Sequence, residues 1–197
     1  MENNILITLT GKSGSGKSTI EKMLVNNKGY KRAVSHTSRE PRMNEFNGKD
    51  YYFVGKEIML TMYAEGKLAE FIEYNDNLYG VSVDELMNSQ VIVIEPTGLK
   101  QVKEKMKGKK EIISFFLNIS EQTMYDRMKK RGDKESDILS RISHDRDHFN
   151  VNLSEFFDYV INVDNATPSQ IFNSINDIIQ NKDQLTIFDL LEDNKNE

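Results

Sequence analysis

The chain has no cysteine, and its acidic residues outnumber its basic ones. Without cysteine it can form no disulfide, hold no zinc through thiolates and use no cysteine nucleophile. With 26 Lys and Arg against 31 Asp and Glu, its net charge is -5. We therefore expect no direct nucleic-acid binding, which depends on clustered cations. A few convergent arginines and lysines can still bind a small anion.

Long apolar runs are also missing. No run approaches the roughly 20 residues needed to span a bilayer, and the start, Met1-Glu2-Asn3-Asn4, lacks the basic residues of a secretory signal. We therefore expect a cytoplasmic protein without membrane contact. A chain of 197 residues with 38% hydrophobic content is long enough for one α/β domain with a packed core and small insertions.

Short apolar, β-branched runs alternate with stretches of helical apolar spacing. The runs lie at residues 4–9, 91–94, 112–119 and 159–163. A helical pattern follows each of them, the last at 168–181, and this alternation predicts a doubly wound parallel sheet. We therefore predict an α/β fold whose core is formed by residues 1–35 and 90–182.

Two segments interrupt that alternation. Between residues 36 and 90, strand-like pieces at 51–54 and 70–74 flank a helical stretch, which predicts an inserted subdomain. Residues 132–147 are dense in charge and poor in bulky apolar side chains, so we predict a mobile flap, or lid, between two helices. Residues 183–197 follow the last predicted helix as a C-terminal tail.

A glycine-rich segment directly follows the first predicted strand and opens a helix. It reads Gly11-Lys12-Ser13-Gly14-Ser15-Gly16-Lys17-Ser18 and fits the Walker A spacing of phosphate-binding loops. In such a loop successive N–H groups point at phosphate oxygens, and the helix N-terminus adds partial positive charge. We expect Lys17 to bridge the β- and γ-phosphates of ATP and Ser18 to ligate Mg²⁺. The predicted ATP contacts are Gly11, Ser13, Gly14, Ser15, Gly16, Lys17, Ser18 and Thr19.

A Walker A loop by itself does not separate kinases from GTPases or motor ATPases. A GTPase would carry an Asn-Lys-x-Asp segment that reads guanine. In this chain Asn181-Lys182-Asp183-Gln184 has glutamine in the place of the last aspartate, which disfavours a GTPase.

Two further segments point to the phosphoryl acceptor. Residues 35–42 read Ser-His-Thr-Ser-Arg-Glu-Pro-Arg, and residues 47–54 read Asn-Gly-Lys-Asp-Tyr-Tyr-Phe-Val. Here the chain closely resembles guanylate kinases, whose Ser-x-Thr-x-Arg-x-Pro-Arg and Gly-x-Asp-Tyr-x-Phe-Val patterns are long and specific. The resemblance implies a P-loop NTPase-type fold over 1–182 with an inserted NMP-binding subdomain and a helical, charged lid. It also implies transfer of the γ-phosphoryl group of ATP to GMP or dGMP.

The resemblance implies roles for individual residues of the acceptor site. It assigns the GMP phosphate to Arg39, Arg42, Tyr51 and Tyr79, and the guanine base to Ser35 and Glu73. The chemistry agrees, because two arginines three residues apart can present two guanidinium forks to one phosphate. A carboxylate suits guanine, which offers N1–H and N2–H₂ as adjacent donors where adenine does not.

Three features depart from the family pattern. The stretch after Glu73 is a few residues short, Val81 stands where the family has Ser or Thr against the base, and Val93-Ile94-Glu95 replaces Asp-x-Asp. We expect Glu95 to take the place of the second aspartate, either in contacting the base or in organising the Mg²⁺ site. A kinase for another (deoxy)nucleoside monophosphate therefore stays open. So does a protein-interaction module of the same fold, although the intact Walker A loop disfavours it.

Three arginines are candidates for surrounding the transferring group. Arg127 and Arg131 lie four apart on a predicted helix that ends at Gly132, so they share a face. By resemblance, Arg141 on the next helix joins them, and the three close over the triphosphate. Phosphoryl transfer depends mainly on positioning and positive charge. The predicted catalytic residues are Lys17, Arg39, Arg127, Arg131 and Arg141.

The tail contains the segment Gln184-Leu185-Thr186-Ile187-Phe188. It resembles the short Gln-Leu-x-Leu-Phe peptides by which replication proteins dock on a sliding clamp, and this implies a clamp as partner beside the substrates ATP and GMP or dGMP. The alternative is that these apolar residues pack on the protein's own surface or on a second subunit.

Overall fold

The computed structural model describes residues 4–74, 76–149 and 156–193, and for residues 148 and 182–193 it describes the backbone alone. Its central sheet has the strand order β6-β1-β7-β8, with all neighbouring strands parallel. The strands are β1 (Ile5–Gly11), β6 (Val91–Val93), β7 (Glu111–Asn118) and β8 (Tyr159–Asn162). The predicted parallel α/β sheet is therefore confirmed.

Helices cover both faces of this sheet. They are α1 (Lys17–Lys28), α4 (Pro96–Met106), α5 (Glu121–Arg131), α6 (Glu135–His148) and α7 (Pro168–Asp193). Because side chains alternate along a strand, Ile7 and Leu9 of β1 pack with α1, α5 and α7 on one face. Leu6 packs with α4 on the opposite face. Two apolar cores therefore hold β1 rigid, and its carboxyl end carries the Walker A loop.

A second sheet lies within the predicted insertion. Its order is β3-β2-β5-β4, and the β4–β5 pair is antiparallel. The elements of this region are β2 (His36–Thr37), β3 (Tyr52–Phe53), α2 (Lys56–Ala64), β4 (Leu68–Tyr74), β5 (Asn77–Ser82) and α3 (Val83–Met87). One face of the sheet packs on α2 through Met59, Leu68 and Leu78. The other face joins the main core, because Ala69 and Val81 pack with residues of α4 and β6.

Two segments differ from the sequence-based expectation. Most of the charged segment 132–147, which was expected to be a mobile flap, belongs to helix α6. This helix begins at Glu135 and buries the side chain of Ile138 in the core. The last helix, predicted to end at residue 181, runs to Asp193. Among the described residues, no helix is both long and apolar enough to cross a membrane.

Lys110 makes a buried contact that should contribute strongly to stability. Its ammonium group donates to the carbonyl oxygens of Leu86 at 2.9 Å, Met87 at 3.1 Å and Ser89. These carbonyls lie at and beyond the end of α3, where helical partners run out. Lys110→Met should therefore lower the free energy of unfolding by roughly 3 kcal/mol, since buried carbonyls lose a charged donor.

Urea denaturation of the Lys110→Met variant checks this expectation, with Lys109→Met as the matched control. Lys109 is exposed, so its replacement should change the free energy of unfolding little. Equal stability of the two variants would contradict the capping role of Lys110.

Candidate active site

The Walker A loop connects β1 to α1. Gly16 is the residue before α1 and has φ of 96°, a left-handed conformation that glycine adopts without strain. The Lys17 ammonium donates to the carbonyl oxygen of Lys12 at 3.1 Å and to that of Gly11. Burial lowers the pKa of Lys17, and the nearby carboxylates of Asp145 and Glu95 oppose that shift. The cation is thus held at the loop and close to two carboxylates.

Two further groups in this loop bear on anion binding. The Ser15 hydroxyl is buried and makes no hydrogen bond with any part of the chain that the structure describes. The backbone N–H of Ser13 donates to Oδ2 of Asp145 on α6 at 2.6 Å. Both are polar groups of the kind that contact phosphate oxygens in such loops.

The predicted phosphate-binding residues of the acceptor segment come together in one cluster. The Arg39 guanidinium lies 5.6 Å from the centroid of the Tyr51 ring and interacts electrostatically with Tyr79. The Tyr51 and Tyr79 rings are 6.2 Å apart. Burial raises the pKa of Tyr51, which keeps its hydroxyl protonated as a donor. Arg42 is exposed at the edge of this cluster.

Glu45 organises the same cluster, although the sequence analysis assigned it no role. Both of its carboxylate oxygens accept from Nη2 of Arg39, at 2.9 and 3.0 Å, and one also accepts from the backbone N–H of Arg42 at 2.8 Å. That backbone hydrogen bond, together with Arg39, lowers the pKa of Glu45. The sequence offers one signal for this role, because Glu45 is a carboxylate that follows the two arginines closely and precedes the Gly-x-Asp-Tyr motif.

Glu73, predicted to read guanine, does not lie at this site. In the β4–β5 hairpin Glu73 is paired with Leu78, whereas Tyr79 is paired with Ile72. Paired residues share a face and neighbours alternate, so Glu73 lies on the α2 face, opposite to Tyr79. Its side chain is 62% exposed, 3.8 Å from the ammonium of Lys56. The structure therefore places Glu73 away from the other predicted acceptor-site residues.

Glu70 lies on the face that Glu73 was expected to occupy. It is paired with Val81, two residues beyond Tyr79, and is only 9% exposed. Its carboxyl group packs on the first turn of α4, where a Cβ on Gly98 would come within 1.9 Å of Oε1. Burial and the charge of Glu95 raise the pKa of Glu70 to about 7. Alternation along β5 puts Val81 on the same face as Tyr79, but only the observed pairing of β4 with β5 identifies Glu70 as its partner.

The remaining predicted base contacts lie near Glu70. His36 is paired with Gly80, so extending the register by one residue places Ser35 beside Val81 and hence near Glu70. Val81 itself is fully buried in the core. Glu95, the residue before α4, is exposed and interacts electrostatically with both Lys17 and Glu70.

The three predicted arginines divide into two groups. Arg127 of α5 donates to the carbonyl oxygen of Gly14 at 3.2 Å and so touches the Walker A loop. Arg131 and Arg141 both pair with Asp133, the former through Nε at 2.9 Å and the latter at 3.6 Å. The structure therefore brings Arg131 and Arg141 together, and it places Arg127 against the loop.

A cleft of about 310 Å³ opens beside Arg127. Its walls include Gly14, Gly16 and Thr19 on one side, and Ala166 and Pro168 on the other. Concave sites of this size accept small organic ligands. The cleft continues from the Walker A loop, where the phosphates of a nucleotide are expected.

The residues at the start of α1 suit a magnesium ion that arrives with a nucleotide. Ser18 presents an exposed hydroxyl there, and the Glu95 carboxylate lies near Lys17. Across residues 4–74, 76–149 and 156–193, no three His, Cys, Asp or Glu residues are grouped to hold a metal by themselves. Mg²⁺ typically keeps few protein ligands and completes its shell with phosphates and water.

Comparison with known proteins gives a consistent result. A family model described as guanylate kinase matches residues 3–182. A guanylate kinase of Lactobacillus delbrueckii subsp. bulgaricus is 32% identical over 188 residues, which cover 90% of this chain and 89% of the relative. One of Prochlorococcus marinus subsp. pastoris is 35% identical over 164 residues, which cover 79% and 87%. The crystal structure of guanylate kinase from Anaplasma phagocytophilum is similar with a TM-score of 0.63 and 26% identity, over 91% of this chain and 86% of that one.

Proposed function

Since this chain belongs to the guanylate kinase family and is an enzyme of that class, we propose that it moves the γ-phosphoryl group of ATP to GMP or dGMP through the residues described above. The observation that carries this proposal is the position of Glu95. It interacts electrostatically with Lys17 of the Walker A loop and with Glu70 of the inserted sheet. The geometry agrees, because Thr10, next to the Walker A loop, donates to the carbonyl oxygen of Ile94 at 2.8 Å. The Glu70 carboxyl group contacts Gly98 on the helix that Glu95 precedes. Glu95 therefore lies between the proposed donor and acceptor sites.

At the donor site, the backbone N–H groups of the Walker A loop and the Lys17 ammonium bind the phosphates of ATP. Arg127 lies beside the cleft that continues from the loop, and this cleft takes the adenosine part. Ser18 would hold Mg²⁺ together with the nucleotide phosphates. When bound, the ion neutralises charge on the transferring group. Lys17 does the same from the protein side.

At the acceptor site, the Arg39 cluster holds the phosphate of the monophosphate. Glu45 fixes the Arg39 fork before substrate arrives, so little ordering remains when it binds. Tyr51 and Tyr79 donate hydroxyl hydrogen bonds, and Arg42 adds charge from the edge. Transfer then depends mainly on holding the two phosphates in line, and no general base is demanded.

For base selection we propose Glu70 in place of Glu73. An ionised Glu70 accepts from N1–H and N2–H₂ of guanine, and adenine cannot donate this pair. Ser35 lies near Glu70 through the register of the sheet. Val81 offers no hydroxyl there, which keeps a kinase for another nucleoside monophosphate as the second candidate.

A nucleotide panel tests the proposed function directly. ADP formation from Mg²⁺-ATP is measured with each of the common nucleoside and deoxynucleoside monophosphates. GMP and dGMP should be the best acceptors. A preference for a different base would refute the role of Glu70, and nucleotide binding without turnover would favour an interaction module.

The affinity for GMP should also depend on pH. Because the pKa of Glu70 is about 7 in the folded protein, the carboxylate that accepts from guanine forms mainly above that pH. The Kd for GMP should therefore fall by roughly tenfold from pH 6 to pH 8, one proton being lost on binding. Calorimetry in buffers of different ionisation enthalpy measures both the Kd and the proton release. No proton release at pH 6 would contradict this expectation.

Docking on a sliding clamp stays a proposal from the sequence alone. The motif at 184–188 lies on the C-terminal part of α7, where only the backbone is described. If a clamp binds the motif as an extended peptide, residues 184–188 of the helix must unwind first. Titration of a peptide of residues 184–191 against a purified clamp tests the proposal, and the absence of binding at high micromolar concentration would refute it.

A further inference from the structure

Asp145 of α6 is a buried carboxylate to which the reaction proposed above assigns no role. The residue is 7% exposed. Its Oδ2 accepts from the backbone N–H of Ser13 at 2.6 Å, and its Oδ1 lies 3.7 Å from Nδ1 of His144. A buried carboxylate needs a strong partner. Here that partner is a donor of the phosphate-binding loop.

The surroundings of this carboxylate are those of a bound anion. The loop directs N–H groups at one point, and the N-terminus of α1 adds partial positive charge. Lys17 is close enough to interact electrostatically with Asp145. The carboxylate thus occupies a position that suits a phosphate oxygen, and two anions cannot share one set of donors without strong repulsion.

We propose that Asp145 is a built-in competitor of the ATP phosphates, which occupies the Walker A loop in the absence of nucleotide and which ATP must displace. The inference rests on the proposed function in one respect, namely that ATP binds at this loop. Its consequence is a weaker ATP affinity than the loop would have by itself. Asp145 also keeps the loop donors oriented before the nucleotide arrives.

The anchoring of α6 shows what has to move. Ile138 near its start and Phe149 just after its end are both buried in apolar cores. Between them, Arg146 pairs with Glu121 of α5 at 2.6 Å, an exposed contact of the kind that contributes little. Both ends of the helix are therefore fixed by packing. Displacement requires mainly that the Asp145 side chain turn away from Ser13.

Binding of Mg²⁺-ATP to the full-length protein, measured by calorimetry without GMP, tests the proposal. Asp145→Asn and Asp145→Ala should each bind ATP roughly tenfold more tightly, because the competing anion is gone. Their melting temperatures without nucleotide should be lower than that of the wild type, because the contact with Ser13 is weakened. Replacement of a residue with a purely structural role would lower the stability without raising the affinity for ATP.

The matched control is Asp147→Asn, which removes an exposed carboxylate two residues further along α6. Its ATP affinity should stay within about twofold of the wild type. Tripolyphosphate, which has the phosphates without a base, should gain affinity for both Asp145 variants by the same factor as ATP. A gain limited to ATP would show that the competition is not for the phosphates.

The outcomes separate this inference from the proposed function. Unchanged or weaker ATP binding by both folded Asp145 variants would overturn the inference while leaving the kinase assignment intact. Weaker binding together with lower kcat would show that Asp145 assists the nucleotide instead. A folded wild-type protein that binds neither ATP nor GMP would instead refute the proposed function.

Discussion

Replacing Lys17 with alanine should lower kcat by about a thousandfold or more while the protein stays folded. The carbonyl oxygens of Gly11 and Lys12 hold the ammonium group at the Walker A loop. There it can stabilise the negative charge of the phosphoryl group during transfer. Phosphoryl transfer depends on such preorganised cations, and loss of a single one typically costs factors of this size.

Steady-state turnover with Mg²⁺-ATP and GMP measures this effect, and thermal melting confirms the fold. Lys22→Ala is the matched control, because Lys22 lies on the same helix with its side chain exposed. That control should retain normal turnover. Turnover near the wild-type rate in a well-folded Lys17→Ala variant would remove Lys17 from the reaction.

Replacing Glu70 with glutamine should weaken GMP binding by roughly 10- to 100-fold, which corresponds to about 1.5–3 kcal/mol for a charge-assisted hydrogen-bonded group. The amide has one acceptor oxygen where the carboxylate has two, and it carries no charge. Binding of ATP should change little. The Kd of each nucleotide, measured by calorimetry at pH 8, checks the difference.

Glu73→Gln provides the decisive control for this experiment. The residue lies three positions away on the same strand, on the opposite face, and it is exposed. GMP affinity should be unchanged in this variant. A loss with Glu73→Gln and none with Glu70→Gln would reverse the assignment.

The same Glu70 variant should be more stable than the wild type at high pH. The folded protein retains a proton on Glu70 up to about pH 7, whereas the unfolded chain loses it near the ordinary value of 4.5. The stability of the wild type therefore falls as the pH rises between these two values. Glutamine does not titrate, so the variant does not lose this stability. The free energy of unfolding of Glu70→Gln, relative to that of the wild type, should therefore be roughly 3 kcal/mol higher at pH 8 than at pH 4. Urea denaturation at both pH values measures this gain.

Such a gain would indicate that the carboxylate is kept at a cost to stability. On the proposed function, Glu70 is buried beside Glu95 as an acceptor for the base, at a position where an apolar or amide side chain would pack at lower cost. Sites that sacrifice stability in this way are common where a ligand completes the polar contacts.

The parts of the site that could be predicted from the sequence are formed by residues that lie close together in the chain. The Walker A loop depends on its own glycines and on the helix that follows it, so its sequence specifies its conformation. The Arg39 and Tyr51 cluster lies within one short segment. The order of the central sheet follows from apolar runs that are buried on both faces.

The parts that could not be predicted depend on register or on distant packing. A shift of one residue in a strand exchanges its two faces, so the choice between Glu70 and Glu73 required the pairing of β4 with β5. The many charged residues in 132–147 outweighed the signal from Ile138 and Ile142. These two lie four residues apart on a helix whose apolar side packs on the core.

The sequence by itself therefore determined which chemistry is available, a phosphate-binding loop opposite an arginine-rich acceptor segment in a parallel α/β fold, because these depend on neighbouring residues and on periodicity. The tertiary structure alone decided which glutamate shares a face with Tyr79 and which carboxylate meets the loop. Ser13 and Asp145 lie 132 positions apart. Only the packing of α6 against the loop brings them within hydrogen-bonding distance.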